Sequence, residues 1–226
     1  MVGISTKPAR AFQLNAYFDH FTFPWLRYLV DAPSLGYEYL AQLNYTPSKI
    51  FDCYFRFKQQ NKQENFPGDT YPVSRLQQVI TSNYRFQIRY KISASLTLTN
   101  RVELTTIDKE SDRRQTGYMI FQDVNFKPMK SRLSVSARYI LFDTDSYDTR
   151  IYSYENDVLY SYSIPFYYER GSRYYVMLHY RFFRGIDGWL RFGRTTYDNM
   201  QTVGSDLDVI NAPHKSELKA QLRFQF

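Results

Sequence analysis

Cysteine is almost missing from this chain of 226 residues: Cys53 stands alone, which excludes an internal disulfide and any cysteine-rich zinc site. In its surroundings it reads as a small apolar filler. Histidine is nearly as scarce, and His20, His179 and His214 lie at no metal-ligand spacing with acids or cysteines. Glycine-rich phosphate loops and nucleotide motifs are lacking too. The mean hydropathy is −0.52 and no uninterrupted apolar run approaches about 20 residues, so a transmembrane helix is excluded. That leaves membrane strands open, because half of each such strand is polar. Finally, the opening "MVGISTKPARAFQL" has neither an apolar core segment nor a small-residue cleavage site, so it is not read as a secretory signal.

Aromatic residues are abundant, with 22 Tyr and 18 Phe against 2 Trp. The formal charge of +7 is read as a solvated excess; an anionic partner, lipopolysaccharide contacts or a basic lumen are the other readings.

Helical periodicity is almost nowhere, and period-2 alternation almost everywhere. In the closing "KSELKAQLRFQF", Leu218, Ala220, Leu222, Phe224 and Phe226 share one face, while Glu217, Lys219, Gln221, Arg223 and Gln225 share the other. The same pattern sets Phe12, Leu14, Ala16 and Phe18 against Gln13, Asn15, Tyr17 and Asp19. It sets Ile80, Ser82, Tyr84, Phe86, Ile88 and Tyr90 against Thr81, Asn83, Arg85, Gln87 and Arg89. It recurs around 37–45, 51–58, 96–104, 118–126, 133–141 and 174–182, and more weakly around Leu190 and Phe192, where Arg194 falls on the apolar side. About ten strands of about ten residues result, the length a tilted strand needs to cross a bilayer.

Connections alternate in length. "TPSK", "ISAS", "KPMK" and "RGID" are tight turns, whereas 23–36, 61–78, 108–117 and 198–214 read as long polar loops. Short turns all fall on one side only if 143–172 is a single long connection, either an extracellular hairpin or a loop folded into the mouth. Aromatics also cluster at strand ends: Tyr37 and Tyr45 bracket Ala41, and Tyr174 and Phe182 bracket Leu178. A packed core has no reason to place them so, while a lipid-facing belt does. The expected fold is therefore all-β, an antiparallel up-and-down transmembrane β-barrel forming one domain over 1–226.

The ending "LKAQLRFQF" resembles the terminal signal by which Gram-negative outer-membrane proteins are recognised for assembly. "FPWLRYLVDAPS", "YSYENDVLYSYSIPFYYERGSRYYVMLHYR" and "SELKAQLRFQF" resemble the C-terminal barrel of large Bacteroidota envelope proteins, some described as competence-like helix-hairpin-helix proteins. The resemblance implies an outer-membrane location, contact with outer-membrane lipid and with the barrel assembly machinery, and an assembly signal at Leu222, Phe224 and Phe226. Proteins of that group carry a signal sequence, more strands and a periplasmic N-terminal region. "VGISTKPARAFQL" has the grammar of the later strand–turn–strand joints, so Val2 to Thr6 reads as the stub of an upstream strand and the chain as the C-terminal part of a larger barrel, with a closed barrel of about ten strands as the alternative.

The polar face carries the candidate solute contacts: Arg85, Arg89, Arg101, Arg132, Arg138, Arg173, His179, Arg181 and Arg223, interleaved with Glu103, Asp123 and Glu217. Rings of arginine favour anionic solutes, and rows of Arg and Glu can equally cross-link and plug a wall. No cofactor is implied. No surface-facing Ser, His and acid set is visible, so no enzyme is expected; an outer-membrane hydrolase is the least favoured reading, and His179 reads as a structural hydrogen-bonder. Tyrosines among basic residues suggest nucleic-acid stacking, but the belt explains them and nucleic acid is not supported. A channel or uptake barrel for small polar or anionic solutes and a structural anchor for a periplasmic or surface module remain as the two expected functions.

Overall fold

The computed structural model describes residues 1–68 and 73–225. Its strands are β1 (Val2–Ala9), β2 (Phe12–Phe23), β3 (Ser34–Tyr45), β4 (Phe51–Asn65), β5 (Leu76–Lys91), β6 (Leu96–Lys109), β7 (Asp112–Phe126), β8 (Leu133–Thr144), β9 (Ile151–Tyr152), β10 (Phe166–Tyr167), β11 (Arg170–Phe183), β12 (Ile186–Tyr197) and β13 (His214–Phe224). All except β9 and β10 make one 11-stranded antiparallel sheet in chain order, so the protein is all-β with up-and-down connectivity. β9 and β10 pair only with each other, within the connection from β8 to β11. Among the described residues no ladder joins β1 to β13. Nor, among the described residues, is any helix long and apolar enough to cross a membrane.

The alternation fixes which face each side chain takes. One apolar row runs straight across the ladders through Leu14, Leu43, Phe55, Phe86, Val102, Ile120 and Leu141. From Leu43 onward every member of that row is exposed. The opposite, polar face is more shielded: Glu103, Asp123 and Arg138 are buried there. Cross-strand ring contacts run along both margins of the apolar face. Phe12, Tyr45 and Phe51 lie near the tight turns, with centroids 4.6 and 6.4 Å apart, and Tyr39, Phe57 and Tyr84 lie towards the long loops, at 5.7 and 4.9 Å.

Several sequence expectations need correction. Residues 108–117 are not a long loop: β6 and β7 continue to a tight turn at Glu110 and Ser111, with Lys109 opposite Asp112. Similarly, β4 reaches Asn65 and β5 begins at Leu76, inside the stretch 61–78. These strands are 15 and 16 residues long, well beyond the span a bilayer requires. Their extensions are mostly polar, with Leu76 and Val79 of β5 as the apolar exceptions, which is why they read as loop. The stub at Val2–Thr6 is the greater part of β1, paired with β2 and exposed along its whole length.

The polar face also holds a small apolar core that the alternation did not signal. Met119, Phe121, Ile140 and Phe142 point to that side and are buried with Ile151 and Tyr167 of the β9–β10 hairpin. The long connection folds inward and covers them, so these positions are dry. Gly117 permits the approach, since a Cβ there would lie 2.5 Å from the Thr149 carbonyl oxygen. Each such buried side chain contributes about 1.5–3 kcal/mol towards holding the connection down.

Candidate functional site

The polar face in front of β11, β12 and β13 is where charge concentrates, and residues 145–169 are laid over it. Period 2 brings Arg173 on β11, Arg191 on β12 and Glu217 on β13 to the same side. Glu155, from the connection, enters between them. Its carboxylate accepts Arg173 Nε at 2.8 Å and Arg173 Nη2 at 2.9 Å, the Tyr167 hydroxyl at 2.6 Å, and Arg191 Nη2. Arg173 Nη2 and Arg191 Nη1 also donate to Glu217. Glu155 and Arg191 have no exposed side-chain surface. Two positive charges and two carboxylates thus neutralise one another where neither sign could stand alone.

Next to this lock, Asp157 accepts Lys219 Nζ at 2.5 Å, and the Asp157 carboxyl group lies in the inward connection. Burial would raise its pKa, but hydrogen bonds from Lys219 and the Val158 N–H, with the charge of Arg191, outweigh that and hold it below the usual value. At the start of the connection, Asp145 accepts the Thr116 N–H at 2.8 Å and the Thr116 hydroxyl at 2.9 Å. These two bonds lower the Asp145 pKa.

The remaining expected arginines are mostly engaged. Arg85 makes a two-pronged bond to Glu103, both distances 2.7 Å. Arg101 donates twice to Gln87 Oε1, at 2.9 and 2.6 Å, and lies over the Phe121 ring. Arg138 is held by Asp123 through both oxygens and reaches the connection at the Ser153 hydroxyl and the Tyr154 carbonyl. Arg89 donates to Asp52 at 2.7 Å. Arg132 is not in a strand: it sits in the turn before β8, donating to the Phe182 carbonyl at 3.0 Å.

His179, Arg181 and Arg223 gather near the tight turns around Asp187. Arg223 Nη2 is 2.5 Å from Asp187 Oδ2, Arg181 Nε is 3.5 Å from Oδ1, and His179 Nε2 is 3.1 Å from Oδ1. On its other side His179 Nδ1 faces the Ser134 hydroxyl at 3.2 Å. Leu222 and Phe224 are exposed on the apolar face of β13; Phe226 lies outside the described residues.

Sequence reasoning missed Glu155, Asp157, Arg191 and the grouping of Ser134 with His179. Glu155 sits in a tyrosine-rich stretch that reads as rim, and Arg191 in the strand whose pattern is poorest. Among the described residues no cluster of His, Cys, Asp and Glu could hold a metal ion. No family model and no curated protein matches the chain. What the fold and the site define is an up-and-down antiparallel sheet with one exposed apolar face and one cross-linked polar face, part of it covered by the chain's own long connection.

Proposed function

We propose that the chain forms the wall of a bacterial outer-membrane β-barrel, with its apolar face against outer-membrane lipid and its polar face towards an interior that residues 145–169 plug. The observation that carries this reading is the continuous exposed apolar row from Leu43 to Leu141, bounded by aromatic contacts near both margins. A water-soluble sheet would need a second layer over so much apolar surface. Strands of 12 residues or more from β2 to β8 have the length to cross a bilayer. Leu222, Phe224 and Phe226 would serve recognition by the barrel assembly machinery.

Within that reading the geometry favours a structural, membrane-anchoring barrel over an open pore. Arg85, Arg138, Arg173 and Arg223 are all spent on carboxylates, so they are poorly placed to attract an anionic solute. One observation keeps passage of small polar or anionic solutes as a second reading: Arg56, opposite Arg85 across β4 and β5, makes no ion pair among the described residues. Planar-bilayer recordings separate the two. Wild-type protein that inserts without conductance steps supports the plugged anchor. Steady, ion-selective steps from wild type would overturn it in favour of passage.

A further inference from the structure

Ser134, His179 and Asp187 lie on three adjacent strands and face one another on the polar side. The register places Ser134 opposite His179 across β8 and β11, and Asp187 opposite Arg181 across β11 and β12. His179 Nε2–H donates to Asp187 Oδ1 at 3.1 Å, which leaves the Nδ1 lone pair towards the Ser134 hydroxyl at 3.2 Å. The imidazole is held flat against the Trp189 ring, with centroids 4.6 Å apart and an interplanar angle of 14°. Asp187 is fixed in turn by Arg223 and Arg181. Nucleophile, base and a carboxylate that orients the base are therefore all within hydrogen-bond reach.

The hydroxyl has room in front of it. Two cavities, of about 280 and 290 Å³, both include Ser134 and His179 in their walls. The first is lined also by Lys127, Arg132, Arg181 and Met129. The second is lined by Asn125, Asn156 and Trp189. Each falls just below the size range of small-molecule sites, about 300–1,000 Å³, and suits only a small substrate.

We propose that Ser134, His179 and Asp187 form a hydrolytic site for small carboxylic esters that carry an anionic group. The proposal goes beyond the barrel reading and does not rest on it. Ser134 Oγ bonds to the ester carbonyl carbon while its proton passes to His179 Nδ1. The bond from that carbon to the alcohol oxygen breaks, and the proton moves to the departing alkoxide. Water then adds to the acyl carbon and gives a proton to His179. Oγ leaves with that proton, so one water is consumed and an acid and an alcohol are released. Arg132, Arg181 and Lys127 supply positive charge for the carbonyl oxygen as it becomes an oxyanion, and for the anionic end of the substrate. Ser134 and His179 are the catalytic residues, and Asp187 is a positioning residue.

The test uses the full chain folded in detergent micelles, treated with an alkyl fluorophosphonate and digested for mass spectrometry. One phosphonate adduct on the peptide containing Ser134 is expected, with none in Ser134→Ala. In parallel, mono(4-nitrophenyl) glutarate should be cleaved faster than 4-nitrophenyl butyrate. Ser134→Ala and His179→Gln should each lose about 100-fold or more of the rate. Asp187→Asn should lower kcat while leaving KM near that of wild type, and Asp187→Glu should restore part of the rate, which a merely structural carboxylate would not do. An unlabelled Ser134 in wild type, or ester cleavage equal in wild type and Ser134→Ala with matching circular dichroism, overturns the proposal and leaves His179 as a wall hydrogen-bonder.

Discussion

Arg173 of β11 and Glu155 of the inward connection form a two-pronged ion pair at 2.8 and 2.9 Å, with Glu155 wholly buried. This contact ties the connection to the sheet, and its removal is the most direct way to ask what the connection does. In Glu155→Ala, Arg173 and Arg191 stay buried with Glu217 as their common carboxylate. Breaking such a buried pair costs about 3–5 kcal/mol. Urea unfolding should register that loss, and residues 145–169 should become cleavable by protease under conditions that leave wild type intact. Equal stability of the two proteins would mean that the connection is not held by this lock.

Neighbouring positions of one strand should respond oppositely. Phe121 points into the small core beneath the hairpin and is buried, while Ile120 points out and is exposed. Phe121→Ala should cost about 3–5 kcal/mol. Ile120→Ala removes fewer contacts and should cost less than half as much. Denaturant titration of both variants in the same micelles checks the ordering, and a reversed order would turn the sheet inside out.

Acid should loosen the start of the connection. The Asp145 carboxyl is held below its ordinary value, chiefly by the Thr116 N–H and then by the Thr116 hydroxyl. A group depressed on folding contributes fully above its unfolded value, about 3.9. That contribution is lost as the pH falls through the lower, folded value. Hydrogen exchange of the Thr116 amide should therefore be slow at pH 7 and show reduced protection near pH 3, after correction for the intrinsic rate. Asp145→Asn should remove most of this pH dependence.

The strands were legible because period 2 is written into side-chain type wherever the two faces meet different surroundings. Arg85 and Glu103 could be put on the polar face from the sequence, and they bond there. What could not be read is anything decided by the fold of the long connection. Met119 and Ile140 break the polar series because the hairpin dries them, and that hairpin has no periodicity to announce it. Ser134 and His179 are 45 residues apart, and they meet only because β8 pairs directly with β11 across that connection. The turn at Glu110 was hidden for a different reason: past the apolar band, strand and loop have the same polar composition.

The environment of the apolar face can be settled by one substitution in its middle. Val102 is 47% exposed and lies in the row between Phe86 and Ile120. If that face meets lipid, Val102→Arg places a cation in hydrocarbon and should lower the folding free energy in phospholipid vesicles by about 2–4 kcal/mol near the midplane. The same change at Phe12, beside the tight-turn margin, should cost at most about 1 kcal/mol, because the depth is less. If instead the face meets water, both changes should be close to neutral. A face covered by a protein layer would make Val102→Arg costly in lipid-free buffer as well. Reversible unfolding in vesicles and in lipid-free buffer therefore distinguishes lipid, water and protein as the neighbour, and only the depth-dependent cost in vesicles agrees with a membrane barrel.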